Sequence, residues 1–431
     1  MRLAISNSSG IIVPARRVDR ALSGTESTLL AVIRDSAILI EGSRIKEIVP
    51  EDKLNSMKRK VKMKTIDARG GIVLPGFVDS HTHIAFAGSR ENEFYMKTEG
   101  KTYSQIQDSG GGIYRTFKDV KKSDFGQVYA QTLDRIAHGL LTGTTSFEVK
   151  TGYGSNDAEE IKLLEVAEKI SRLGLANIRK TFLGLHVIPE GVGERDYTEH
   201  VCNSLLPSIV KRVDFADIFC DRGAFGLESL AKIYEASSRY SVPLRVHANE
   251  IENIGCLKAL RGRKLASADH LLRVDDDDLD ALKSTGGIAT LLPSTAFSLS
   301  PGSMPDFTRF SARNIPVAIA SDCSPSTYTT NLLTEVYLAV RFCRMPIEAA
   351  LNAVTVNAAF SLGMEDQVGW IEPGKLADIV VLDVDDYRKL PYQYDFIKVR
   401  HLIKSGRLMI HDFAPMGRLR WALNGELAKF N

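Results

Sequence analysis

The chain has almost no excess of charge: 55 lysines and arginines face 53 aspartates and glutamates, a net of +2. That balance gives nucleic acid or an anionic membrane surface no electrostatic footprint. Cysteine is scarce as well. Five cysteines, at 202, 220, 256, 323 and 343, form an odd set without a CxxC pair, which fits a reducing compartment and argues against a disulfide framework. No apolar run approaches the roughly 20 residues that a membrane span requires. The opening MRLAISNSSGIIVPARR lacks a signal peptide's apolar core and small-residue cleavage site, so a cytoplasmic location is expected. What is present is ordinary globular composition, 44% hydrophobic and 25% charged over 431 residues. A chain of this kind buries a large core, and the expected partner is a small molecule.

Both ends read as β structure. SAILIEGSRIKEIVP, residues 36–50, is two β-rich runs joined by a Gly-Ser turn, the pattern of a hairpin. VGWIEPGKLADIVVL (368–382) and VRHLIKSGRLMIH (399–411) repeat strand, glycine-containing turn and strand. Isolated hairpins cannot bury an apolar face, so the two ends are expected to share one small β-sandwich domain, built from residues 1–70 and 367–431. Between them, eight apolar runs (IVLPGFVDSHTH, TTSFEVK, RKTFLGLH, ADIFC, PLRVHANE, ASADH, IATLLP and PVAIASD) alternate with helical periodicity such as DAEEIKLLEVAEKISRLG. Eight β/α units over about 290 residues predict an α/β fold with a (β/α)8 TIM-type barrel across 71–366. His81, His83, Glu148, His186, His247, His270 and Asp322 all fall at or just after a strand end, where such barrels place their active sites. The gap between the first two strands, about 60 residues, is the longest and suits a lid or binding loop.

His81 and His83 lie two residues apart in extended chain, so both imidazoles face one side and can converge on one ion. His247 ends PLRVH, and Asp322 ends PVAIASD. Three imidazoles and one carboxylate suit zinc or iron and leave a coordination position for water. Glu250, three residues after His247, is placed to shuttle a proton. His270 is placed to stabilise an oxyanion.

These residues resemble the amidohydrolase superfamily: a histidine pair on the first barrel strand, histidines on the fifth and sixth, and an aspartate on the eighth. Within it the similarity is to the branch that opens an imidazolone ring in histidine degradation. Asp79-Ser80-His81-Thr82-His83, Ala87-Gly88-Ser89-Arg90, Gly110-Gly111-Gly112-Ile113, Glu148-Val149-Lys150-Thr151-Gly152-Tyr153-Gly154 and Thr181-Phe182-Leu183-Gly184-Leu185-His186 carry it, in order along the chain. The resemblance implies one divalent metal, zinc or iron, on His81, His83, His247 and Asp322. It implies Arg90, Tyr153, His186 and Glu250 as contacts to 4-imidazolone-5-propanoate, a tail site at Ser324, Ser326 and Thr327, and a homodimer. Arg90 would clamp the propionate, while Glu250, His270 and Asp322 would carry the catalysis. The sequence departs from that branch at Ser324, where asparagine is usual, at Ser326, where glycine is common, and at Asn249, where aspartate is usual.

Other features have plainer readings. Asp275 to Asp278 lack the glycine and terminal glutamate of a calcium loop and read as a solvated helix start. The glycines at 110–112 lack the lysine of a phosphate loop and read as a lid segment. Cys323 adjoins Asp322 but should point away from the metal by alternation. Lys150 is ambiguous, because a carbamylated lysine bridges two metals in other amidohydrolases; its place on the second strand favours a single metal. Two further functions remain open: an aminohydrolase acting on a nucleobase, or a related cyclic amidase, and a catalytically inactive scaffold.

Overall fold

The computed structural model describes residues 2–60, 62–101, 105, 111–299 and 304–425. Its centre is a parallel barrel whose eight strands are neighbours in chain order: Phe77–Asp79, Thr144–Lys150, Asn177–Leu185, Phe215–Cys220, Leu244–Ala248, Ser267–His270, Ile288–Leu291 and Val317–Ile319. Each of the eight apolar runs read from the sequence overlaps one of them. Alternation within each strand sorts the side chains. Phe147 and Val149 of the second strand, Ala216 and Ile218 of the fourth, and Leu244 and Val246 of the fifth join the apolar layer under the helices. Residues between them, Glu148, Lys150, Asp217, Arg245 and His247, take the opposite face, toward the barrel axis.

The first and last barrel strands close the ring through the segments just beyond their ends. Thr82 bridges Cys323 in parallel; the Asp322 N–H donates to the His81 carbonyl at 3.1 Å and the His83 N–H to the Cys323 carbonyl at 3.0 Å. The buried Asp79 carboxylate adds two bonds, accepting from the Ser321 N–H at 3.0 Å and the Ser321 hydroxyl at 2.6 Å. Closure therefore uses the same backbone that carries three of the sequence-proposed metal ligands.

Two sheets cover one side of the barrel. Arg2–Ser6, Ser36–Glu41, Arg44–Pro50 and Lys64–Asp67 form a four-stranded sheet, and residues 36–50 make the expected antiparallel hairpin. A seven-stranded sheet takes three strands from the N-terminal part and four from the C-terminal part, joined where Ile72–Pro75 pairs antiparallel with Ile379–Leu382. Ile379 and Val381 pack with Leu3, Ile5, Ile38 and Ile40 between the sheets. Val380 and Leu382, on the opposite face, join the barrel cluster. The near-continuous run IVVL is thus explained by burial on both faces.

Three local expectations change. The first apolar run is two strands: Ile72–Pro75 belongs to the seven-stranded sheet and Phe77–Asp79 to the barrel. Between them stands Gly76, where a Cβ would overlap the Thr145 side chain, so only glycine permits the crossing. In residues 368–382 only Ile379–Leu382 is a strand, because the glycines at 369 and 374 adopt positive φ, 101° and 94°, and turn the preceding chain. Cys220 and Cys256 are joined as a disulfide with Cα atoms 6.4 Å apart, whereas the scattered, odd-numbered cysteines argue, from sequence alone, against a disulfide framework. Cys202, Cys323 and Cys343 are free and buried. The long first connection contains helices at Glu91–Thr98, Ile113–Lys122 and Phe125–Leu141; Gly110 of the expected lid lies outside the described residues. No helix of the described residues is long and apolar enough to cross a membrane.

Candidate active site

Of the ionisable residues read from the sequence at or after a strand end, His81, His83, His186, His247, Glu250, His270 and Asp322 are at the barrel mouth, in distinct groups, whereas Glu148 is buried below it, paired with Lys150 and Arg245. His81, His83 and His247 bring one ring nitrogen each within a sphere that suits a metal ion, the three donor atoms lying within 4.8 Å of one another. His83 Nε2 and His247 Nε2 are 3.0 Å apart. Asp322 Oδ1 is 3.5 Å from His81 Nε2 and 3.6 Å from His83 Nε2. His81 Nε2 and Asp322 Oδ1 are buried and have no hydrogen-bond partner.

The tautomers follow from what lies behind the rings. Asp269 Oδ2 sits 2.7 Å from His81 Nδ1, and Asp217 Oδ1 sits 3.1 Å from His247 Nδ1. A carboxylate there takes the Nδ1–H bond and leaves the Nε2 lone pair aimed at the mouth. Burial holds all three imidazoles well below the usual histidine pKa, so they are neutral donors at neutral pH. Four convergent donors, two of them orphaned and buried, fit a divalent cation. Burial raises Asp322 to about 7, and a cation at the mouth would restore its charge.

The chain turns sharply where these groups emerge. Asn249, His270 and Asp322 have φ of 57°, 74° and 50°, conformations that non-glycine residues adopt only when the surroundings compel them. Asn249 is buried and donates to the Arg273 carbonyl and to Asp278 Oδ2, so this departure from the family pattern serves the loop. Asp278 corrects the reading of the acidic run: Asp275 caps the helix in a reciprocal capping box, but Asp278 is buried and ties Asn249 and Asn253 together. Asp221, absent from the sequence reading, accepts the backbone N–H groups of Glu250, Ile251 and Glu252 at 2.8 to 3.0 Å. It thereby pins the loop that carries Glu250, and the Cys220–Cys256 bridge fastens the same loop's far end.

Glu250 Oε2 lies 3.5 Å from His270 Nε2. Burial, with the charges of Asp322 and Asp221, pushes the Glu250 carboxyl well above its usual range. Burial lowers His270 to about 4, so at neutral pH its imidazole is neutral, and the same burial favours the proton-bearing form of Glu250. On the other side, His186 stacks on His83 with centroids 4.8 Å apart, and Tyr153 lies 5.2 Å from His186 and 5.8 Å from His83. His186 Nδ1 donates to the Gly152 carbonyl at 2.9 Å. Gly152 has φ of 110°, and a Cβ there would press on the Leu183 carbonyl and on His186. Glu160 grips this turn through the Gly152 and Gly154 N–H groups, which holds Tyr153 inward. Burial keeps the phenol protonated.

The tail-site residues are arranged differently. Arg90 is largely buried and paired with Glu93, whose Oε2 accepts from Arg90 Nε at 2.9 Å and Nη2 at 2.6 Å. Glu93 Oε1 also accepts the Gly112 N–H. Ser324 Oγ is 3.1 Å from Ser326 Oγ, and Ser326 is exposed. Thr327 is buried, 3.0 Å from Thr295 Oγ1. Thr295, unremarked in the sequence, donates to Asp322 Oδ2 at 2.7 Å and so leaves Oδ1 as the free oxygen.

Below the mouth, five charged side chains share the interior with no exposure: Glu148, Lys150, Asp217, Arg245 and Asp269. Lys150 Nζ is 2.6 Å from Asp217 Oδ2 and 2.9 Å from Glu148 Oε2. Burial alone would lower the lysine's pKa, but Asp217 and Glu148 carry it above its usual value. The group is an ammonium between carboxylates; a carbamate there would set anion against anion. The cluster of Asp217, His247 and Asp269 that also satisfies metal-ligand spacing is therefore already furnished with a cation.

A parallel barrel with histidines of its first and fifth strands gathered around one point defines a metal-dependent hydrolase class. The chain belongs to the amidohydrolase family, whose model matches residues 72–409. Within it the chain belongs with the imidazolonepropionases. It is 41% identical to the imidazolonepropionase of Thermoplasma volcanium over 94% of this chain and 98% of that one. Against that of Geobacillus kaustophilus it is 35% identical over 89% and 92%. In structure it is similar to an adenosine deaminase of Xanthomonas campestris (TM-score 0.73, 14% identity, 99% and 98% covered) and to Escherichia coli guanine deaminase (0.67, 17%, 95% and 99%). At those identities the likeness concerns the fold.

If the four donors form one site, the purified protein retains one zinc or iron ion per chain, and the His81→Ala, His83→Ala double variant retains none. Elemental analysis after dialysis checks this, and stoichiometric metal in the double variant would contradict it.

Proposed function

We propose that the chain hydrolyses the ring amide of 4-imidazolone-5-propanoate to N-formimino-L-glutamate, using one zinc or iron ion held by His81, His83, His247 and Asp322. The observation that carries the chemistry is the convergence of three buried imidazoles and the Asp322 carboxyl beside Glu250 and His270. A divalent cation in that position supplies Lewis acidity to the ring carbonyl and a nucleophilic hydroxide from water at neutral pH.

The protein's own groups supply the rest. Asp322, held in place by Thr295, accepts the proton of the attacking water. Glu250 stands where it can deliver a proton to the departing ring nitrogen and break the C–N bond. His270 donates toward the oxygen on which negative charge develops. Tyr153 and His186 line the ring pocket, and Arg90 takes the propionate carboxylate. Glu93 sets the Arg90 guanidinium side-on, which leaves its remaining N–H groups for the substrate. Ser324, Ser326 and Thr327 bound the tail, and a serine hydroxyl replaces one hydrogen bond of the usual asparagine but not both of its arms.

Two outcomes follow. Glu250→Gln keeps the metal and the fold and lowers kcat by on the order of 10² to 10⁴ across the pH profile; stopped-flow loss of substrate absorbance measures it, and near-normal kcat would move proton transfer to another group. Arg90→Met tests the substrate assignment. It weakens transition-state binding of the acid by on the order of 2 to 4 kcal/mol, read in kcat/KM, while an analogue lacking the carboxylate is a poor substrate of the native protein and loses little more. Equal penalties for acid and analogue, in the four-way comparison, would show that Arg90 does not read the carboxylate.

A further inference from the structure

Lys150 is one of the charged residues of the barrel interior that the proposed chemistry does not use. Its side chain is fully buried at the end of the second strand, and its ammonium lies between Asp217 and Glu148 with Asp269 3.9 Å away. Asp217 divides its two oxygens: Oδ2 takes Lys150 at 2.6 Å and Oδ1 faces His247 Nδ1 at 3.1 Å. Arg245 does the parallel work on the other side. Its Nη2 lies 3.5 Å from Asp269 Oδ2, and that same oxygen faces His81 Nδ1 at 2.7 Å. Arg245 is anchored to backbone carbonyls of Ser361 and Ser80, the latter adjacent to His81. Lys150 has no such backbone anchor among the bonds described for it; its bonds run to Glu148 and Asp217.

We propose that Lys150 is a positioning residue of the metal centre, holding Asp217 in the rotamer that orients the imidazole of His247. The physical argument is one of desolvated charge. Asp217 and Glu148 are both without solvent, and removing the ammonium between them leaves two carboxylates facing each other in a medium that cannot screen them. Asp217 then turns away from Glu148, the Nδ1–H bond from His247 loses its acceptor, the imidazole is free to rotate, and its Nε2 lone pair is no longer aimed at the other ligands. Outer partners of this kind are worth roughly 10- to 100-fold in metal affinity. The proposal rests on His247 being a metal ligand, and the test separates the two ideas.

The test measures Co²⁺ affinity by chelator competition, with the visible spectrum of the bound cobalt as a report of ligand geometry and the thermal midpoint of each apoprotein as a control for folding. The proteins are the native chain, Lys150→Met, Asp217→Asn and the double variant. Lys150→Met and Asp217→Asn each lower affinity by roughly 10- to 100-fold with a shifted cobalt spectrum, and the double variant is no weaker than the weaker single, because both changes break one chain of contacts. Native affinity and spectrum in Lys150→Met overturn the proposal, as does a double variant whose loss is the product of the two singles. If Lys150→Met does not fold, Asp217→Asn decides, since the amide preserves shape and leaves the lysine in place: native-like cobalt affinity and spectrum there overturn the proposal. A native protein that binds no cobalt at His247 refutes the metal site itself, and the positioning role with it.

Discussion

A dry charge cluster under an open mouth is the constraint on which the rest of the structure depends. Glu148, Asp217 and Asp269 bring three negative charges to the barrel interior, and Lys150 and Arg245 bring two positive ones, so the floor carries one uncompensated negative charge. Buried ions are retained only when their neighbours satisfy them, and here that satisfaction has a direction. Asp269 Oδ2 and Asp217 Oδ1 face the Nδ1 atoms of His81 and His247, and the lone pairs on the far side of those rings point into the mouth. A floor that is net negative and a rim of lone pairs both favour a cation at the top of the barrel.

Closure of the barrel serves the same end. The first and eighth strands are short, three residues each, and their ladder is completed by the segments that bear His81, His83 and Asp322. The ligands are thus spaced by backbone hydrogen bonds between strands, which are stiffer than any loop. The strained backbone at Asn249, His270 and Asp322 is the local cost of turning side chains inward at three strand ends. Around this rigid ring the residues proposed for proton transfer and substrate recognition sit on connections held from behind by buried carboxyl groups: Asp221 under Glu250, Glu160 under Tyr153, and Glu93 under Arg90.

Much of this was legible in the amino-acid sequence, for identifiable reasons. The eight strands announce themselves because each is apolar on its helix-facing side, and strand ends are where polar residues first appear. His81 and His83 stand out through their spacing. The positioning residues were harder to see. Asp217 lies inside ADIFC, Arg245 inside PLRVH and Asp269 inside ASADH, where a lone charge in an apolar run is easily assigned to the strand's solvent side. In a closed barrel the alternate face is the interior, and read that way the charges at inward positions of strands two, four, five and six mark the cluster. Thr295 and Asp221 carry no such signal, since a threonine opening a helix and an aspartate after a strand are commonplace. The disulfide was missed because Cys220 and Cys256 are 36 residues apart in sequence and only adjacency of the fourth and fifth strands brings them together.

The measurement that bears most directly on this account is an anomalous-scattering map of the crystalline protein at the absorption edge of the metal it carries when purified. The account predicts a single peak bonded to Nε2 of His81, His83 and His247 and to Oδ1 of Asp322, with Lys150 unmodified beneath it. A peak among Asp217, His247 and Asp269 in place of the ammonium, or a second ion bridged by a carbamylated Lys150, would contradict it.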